Sequence, residues 1–179
     1  VVIKLADHID DVFGSAPGKI RGYDGHQEIE LALMKLYEVT SNEKYLRLSQ
    51  FFLEERGREP HFYNHESEKR GGVYHWGPGI VENKEYSQSH KPITEQEKAV
   101  GHAVRFVYMC TGMAHLAAVT ADLEMLESCK RLWNNMVSKQ MYITGGIGSQ
   151  SHGEAFTSDY DLPNDTVYAE TCASIGLIF

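Results

Sequence analysis

The sequence predicts an all-α chain built of antiparallel helical hairpins with two long functional loops. Three observations carry this. Apolar residues recur at helical spacing in several separate segments. Cap-forming polar residues stand directly before two of them. Two helix–turn–helix units also repeat one another at a constant offset of 80 residues.

Val1–Phe13 reads as an amphipathic helix. After Asp24-Gly25-His26, the residues Ile29, Ala32, Leu33 and Leu36 mark a second helix. Asn42 is a fitting N-cap for the next, with Tyr45, Leu48 and Phe52 on one face. Val100, Ala103, Val104, Val107, Thr111, Ala114 and Ala118 outline a long helix. Asp122 then caps another, whose expected inner face is Leu126, Cys129, Trp133, Met136 and Val137. Two hairpins result, near Gln27–Arg56 and Ala99–Gln140. Leu36, Val39, Thr40, Asn42 and Leu46 of the first match Leu116, Val119, Thr120, Asp122 and Leu126 of the second. Repeated helical hairpins build a bundle, a solenoid or a closed toroid. Short solenoid repeats run at ~34 to 47 residues, too short for this offset.

The segment Pro60–Pro92 is expected to be a long irregular insertion, with Phe62, Tyr63, Tyr74, Trp76 and Tyr86 too aromatic for a disordered linker. A second loop runs from Thr144 to about Thr166. The chain ends on an apolar helical run, Ala173–Phe179, with no Gly or Asn cap and no basic last turn. Both ends therefore read as cuts through a larger domain.

The net charge of −8 argues against nucleic-acid and anionic-membrane partners, which demand a basic face. No run approaches the ~18 to 20 apolar residues that span a bilayer. Three widely spaced cysteines, Cys110, Cys129 and Cys172, make a poor disulfide framework, so a reducing, cytoplasmic setting is expected.

Glu154, in Gly153-Glu154-Ala155-Phe156, is either a surface carboxylate or a general acid whose pKa is raised by its aromatic neighbour. Glu170 and Cys172 are either two zinc ligands or a buried, inert thiol beside a helix-terminal Glu. On a regular helix they point ~200° apart, so a shared metal requires Glu170 to lie at an irregular first turn. His26 and His102, each beside a glycine at a helix start, face a cleft or pack as caps. Tyr74, Trp76 and Tyr86 stack on sugar rings or pin the long loop to the scaffold. Gly145-Gly146-Ile147-Gly148 lacks the Lys and preceding strand of a phosphate-binding loop.

Several stretches, in order along nearly the whole chain, resemble glycoside hydrolase family 127, the β-L-arabinofuranosidase family. They include Gly22-Tyr23-Asp24-Gly25-His26-Gln27-Glu28, Tyr86-Ser87-Gln88-Ser89-His90-Lys91-Pro92 and Gly101-His102-Ala103-Val104-Arg105. The most specific are Thr144-Gly145-Gly146-Ile147-Gly148, Gly153-Glu154-Ala155-Phe156, Tyr160-Asp161-Leu162-Pro163-Asn164 and Tyr168-Ala169-Glu170-Thr171-Cys172-Ala173. The resemblance implies that residues 1–179 are part of a single (α/α)6 catalytic toroid, incomplete at both ends. It implies retaining hydrolysis of terminal β-L-arabinofuranosides on an oligosaccharide or glycoconjugate. Glu154 matches the general acid/base, Glu170 and Cys172 match two zinc ligands, and His26 and His102 match histidines of the sugar pocket. The family's nucleophile, one of an adjacent pair of zinc-bound cysteines, has no counterpart here. Cys110 and Cys129 lie within helices and precede the Glu-Thr-Cys motif. The alternatives are a hydrolase of another sugar or of a uronic acid on the same toroid, and a non-catalytic helical scaffold.

Overall fold

A computed structural model describes residues 1–73 and 79–179. Among the described residues, eight α-helices follow in order: α1 (Val2–Val12), α2 (Ile29–Thr40), α3 (Glu43–Glu55), α4 (Phe62–Lys69), α5 (Gly79–Glu82), α6 (Ala103–Thr120), α7 (Leu123–Asn135) and α8 (Thr171–Ile178). A π-helical turn, Met136–Gln140, extends α7. Extended pairing among the described residues is limited to isolated bridges in loops. The fold is an incomplete α/α toroid of antiparallel hairpins.

The two hairpins are alike in atomic detail. Thr40 Oγ1 and Thr120 Oγ1 each donate to the carbonyl four residues back, Leu36 and Leu116, both at 2.7 Å. Ser41 and Ala121 then take left-handed conformations, with φ of 55° and 56°. Asn42 and Asp122 cap the return helices by accepting from the backbone N–H of Lys44 and Met125. The equivalent Val39 and Val119 both sit exposed at the turn.

α6 is the axis of the core. It packs on α2, α3, α7 and α8, and Phe106, Met109, Met113 and Leu116 are buried. By length and composition α6 is long and apolar enough to cross a membrane, contrary to the sequence reading, but more than half of it is buried inside the protein. Ala114 and Ala118 face outward, so the stripe predicted for α6 is displaced. The inner face of α7 is displaced too. Met125, Ser128, Leu132 and Met136 are buried, whereas Trp133 is 50% exposed. α7 must meet both α6 and the short helical turn Ile93–Glu95, which rotates its buried stripe by about one position. α3 behaves as read, with Tyr45, Leu48 and Phe52 buried. Trp133, Leu31, Val107, Cys110, Ala114 and Leu177 help line a groove of about 1000 Å³ between α2, α6, α7 and α8.

The insertion 60–92 is less irregular than its sequence suggests, since it contains α4. That helix has apolar residues only at its first turn, Phe62 and Tyr63, and so lacks an amphipathic signature. Tyr74 and Trp76 lie outside the described residues, so their proposed stacking role has no structural description. Tyr86 is half-buried against the scaffold.

A polar core ties the insertion to α6. Gln27 Nε2 donates to Ser87 O and Gln88 Oε1; Gln88 Nε2 donates to Val100 O and His102 O; and Gln96 Nε2 donates to Gln88 O. Three buried glutamines thereby fix the register of the loop against the start of α6. Buried amides hold position in this way because an unmade bond there is expensive.

Candidate active site

The start of α6 is the platform. Gly101 has φ of +70°, and a Cβ there would lie 1.9 Å from the Glu85 carbonyl oxygen, so only glycine lets the two segments cross. The next residue, His102, is the N-cap of α6, and its Nδ1 accepts from the Arg105 backbone N–H at 3.2 Å. Nδ1 therefore holds a lone pair, and the ring proton sits on Nε2. Burial lowers the pKa of His102, consistent with a neutral ring.

The loop after α7 is stitched to this platform. Phe156 N–H donates to Gly101 O at 2.9 Å, and Ala155 forms a bridge with His102. Glu154 consequently faces His102. Its Oε2 accepts from His102 Nε2 at 2.8 Å, and its Oε1 accepts from the Tyr168 hydroxyl at 2.8 Å. Ala169 N–H donates to Gly148 O at 3.0 Å, which brings Glu170 alongside. Ligand atoms of His102, Glu154 and Glu170 all lie within 4.8 Å of one another. The His26 ring packs edge-on to His102 with centroids 5.6 Å apart. Four of the five sequence-predicted site residues thus share one neighbourhood. The fifth, Cys172, is exposed and close enough to Glu170 for that carboxylate to push its thiol pKa up.

Two backbone features mark the same place. Glu154 and Ala169 both adopt left-handed φ, 51° and 44°. Non-glycine residues are uncommon there, and such strain concentrates at functional sites.

Two sequence expectations are corrected. The Glu154 carboxyl is held below its ordinary pKa, first by the Tyr168 hydroxyl and then by His102, and not raised by an aromatic neighbour. The Phe156 ring is instead engaged by Phe106 in the core at 5.3 Å, and the Glu154 side chain stays 42% exposed. Cys172 is not buried but exposed. Glu170 meets the condition set for a shared metal, since it is an extended residue (ψ 135°) just outside α8 and is not bound by helical geometry to point away from Cys172.

Tyr168 and Arg105 are neighbours of the site to which sequence reasoning gave no role. Both stand in motifs shared with the family, but a hydroxyl 14 residues from its acceptor leaves no spacing signal.

Comparisons with known proteins identify the family to which the fold belongs. The family model described as the β-L-arabinofuranosidase GH127 catalytic domain matches residues 1–179.

The chain belongs to glycoside hydrolase family 127.

Within that family it is 48% identical, over 99% of its length, to a non-reducing end β-L-arabinofuranosidase of Bifidobacterium longum subsp. longum. It superposes on a GH127 β-L-arabinofuranosidase from Geobacillus stearothermophilus T6 with a TM-score of 0.93 and 56% identity, covering 98% of this chain. A further GH127 β-arabinofuranosidase gives a TM-score of 0.82 at 44% identity, covering 97% of this chain. The chain spans 27%, 27% and 24% of the lengths of these three relatives.

Proposed function

We propose that this chain supplies the acid/base part of a catalytic centre that hydrolyses terminal β-L-arabinofuranosides on oligosaccharides or glycoconjugates. The observation that carries the reading is the convergence of His102, Glu154 and Glu170 within 4.8 Å, in a family whose named members are β-L-arabinofuranosidases. A non-catalytic scaffold has no reason to gather two carboxylates, a thiol and two histidines at a strained backbone.

Glu154 is the group placed to move a proton. Its carboxylate accepts from two donors at 2.8 Å, which fix both oxygens. Once protonated it gives a proton to the departing glycosidic oxygen, and as a carboxylate it then takes one from water. This alternation fits a retaining reaction. His102, with its proton fixed on Nε2 by the cap, aims the Glu154 carboxylate and cannot itself serve as the base in this tautomer.

Zinc is the cofactor that the family resemblance implies. The donors fit it at Glu170 and Cys172. Glu170 Oε2 is buried with no hydrogen-bond partner, which is the state of an oxygen kept for a cation. The cluster of His102, Glu154 and Glu170 is a poorer cage, because both His102 nitrogens are already engaged. Zinc there would stabilise a thiolate nucleophile, which the resemblance assigns to a cysteine without counterpart in these residues.

The test is product analysis with a full-length family enzyme carrying this segment. Aryl β-L-arabinofuranoside, its α-anomer and an aryl uronide are compared, and the anomer first released is followed by NMR. Hydrolysis confined to the β-L-arabinofuranoside with retention is expected. Preference for the uronide or inversion would overturn the reading.

A further inference from the structure

Two arginines are buried, and their surroundings differ. Arg56 is paired: both its Nη atoms are engaged, by Asp24 and by the carbonyl of Ser87, and it lies 3.7 Å from Glu30, although its Nε is buried without a partner. Arg105, 7% exposed, is not paired. Among the described residues its guanidinium makes no ion pair and no hydrogen bond, and Nε and Nη1 are buried without a partner. Its one contact of note is the Tyr86 ring, 5.0 Å from the guanidinium carbon. A cation over an aromatic face gains something, but it leaves the N–H donors unspent.

Arg105 stands three residues beyond His102, so the two side chains share one face of α6. Tyr86 also packs edge-on to His102, with centroids 5.5 Å apart, and His102 packs on His26. The unspent donors therefore belong to the wall that carries both histidines and Glu154.

We propose that Arg105 is a sugar-binding residue, whose guanidinium donates to hydroxyl oxygens of a neutral furanose held against His26, His102 and Tyr86. A buried guanidinium with no acceptor is costly, and a ligand seated on this wall would supply the missing acceptors. Glu154 and Glu170 share this neighbourhood and repel an anionic sugar. A polyol offers several lone pairs to a planar donor fork without adding negative charge beside them. The inference rests on the proposed glycosidase reading and extends it to a further residue.

The experiment compares R105M and R105K with the unsubstituted enzyme, in the full-length context. Substrates are aryl β-L-arabinofuranoside and its 2-, 3- and 5-deoxy analogues, with an aryl uronide as the anionic comparison. R105M is expected to lower kcat/KM roughly ten- to hundredfold, the range for one hydrogen bond to a charged group. That loss should vanish for the analogue lacking the hydroxyl that Arg105 holds. An equal loss on all four arabinofuranosides, or no loss, would make Arg105 structural and overturn the proposal. If circular dichroism finds R105M unfolded, R105K, which keeps the charge but not the fork, carries the same comparison. A uronide preference abolished by R105M would overturn the neutral ligand in favour of a carboxylate. No turnover by the unsubstituted enzyme on any arabinofuranoside would overturn the reaction itself, and this inference with it.

Discussion

His102 donates through Nε2 to Glu154 Oε2 at 2.8 Å while its Nδ1 caps α6. One ring thus joins the helix terminus to the candidate acid/base. The cap fixes the tautomer, the tautomer makes Nε2 a donor, and the donor holds the carboxylate in place across 52 residues of sequence.

Replacing the acid/base is the most direct consequence. In a full-length enzyme carrying this segment, Glu154→Gln keeps the fold and lowers turnover of a natural glycoside by about 10² to 10⁴-fold. The loss should be smaller for an aryl substrate with a good leaving group, which needs less protonation. Near-normal turnover of the natural glycoside would remove Glu154 from the mechanism.

Tyr168 tunes the carboxyl of Glu154. Its hydroxyl is the largest cause holding the Glu154 carboxyl below its ordinary pKa. Tyr168→Phe removes a donor to the ionised form, so the Glu154 pKa rises. Activity that needs protonated Glu154 then persists to higher pH, and the basic limb of the kcat/KM profile moves up. A basic limb that stays put or moves down would count against the assignment.

Glu30 gives the fold a pH dependence of its own. It is fully buried, and burial, then Asp24, push its pKa from 4.5 up to about 8 despite Arg56. Its folded-state pKa is raised, so its contribution to stability is complete below the unfolded value of 4.5 and is lost as pH rises towards about 8. Glu30→Gln should abolish this slope, so that the melting temperatures of the two proteins diverge from pH 5 to pH 8, the variant faring better at the alkaline end. Parallel melting curves would mean that Glu30 is ionised and paired with Arg56.

The chain of 179 residues by itself should bind zinc poorly and turn over no arabinofuranoside. On the proposed reading, Glu170 and Cys172 would supply only two of the roughly four bonds that a protein zinc site needs. The neighbouring carboxylate also opposes loss of the Cys172 proton when no metal is there to compensate. Calorimetry with zinc and an assay on an aryl arabinofuranoside check this. Tight stoichiometric binding, or turnover above background, would mean that the ligands or the nucleophile lie elsewhere.

Gly101 is a strict requirement of the site's frame. Gly101→Ala should be severely destabilising, because the new Cβ meets the Glu85 carbonyl and φ is +70°. Thermal denaturation followed by circular dichroism reads the effect directly; a melting point close to that of the parent would contradict the crossing.

Where a periodic apolar pattern coincides with a cap, sequence and structure agree on the helix and where it starts. The hairpin of α2 and α3 was legible because Asn42 and the Tyr45, Leu48, Phe52 face act on the same few residues, and the repeat of that hairpin carried α6 and α7. Family motifs made Glu154, Glu170, Cys172, His26 and His102 visible as candidates. Tertiary structure decided the rest. The buried stripe of α7 turned by one position because two different neighbours share it. α4 escaped notice because its stability does not come from an amphipathic face. The acidity of Glu154 was set by Tyr168 and His102, partners that no local pattern links to it. The isolation of Arg105 was equally invisible, since a missing acceptor is a property of the space around a side chain. Helical period and capping are local and can be read along the chain; electrostatic environment depends on which distant groups the fold brings within a few ångströms.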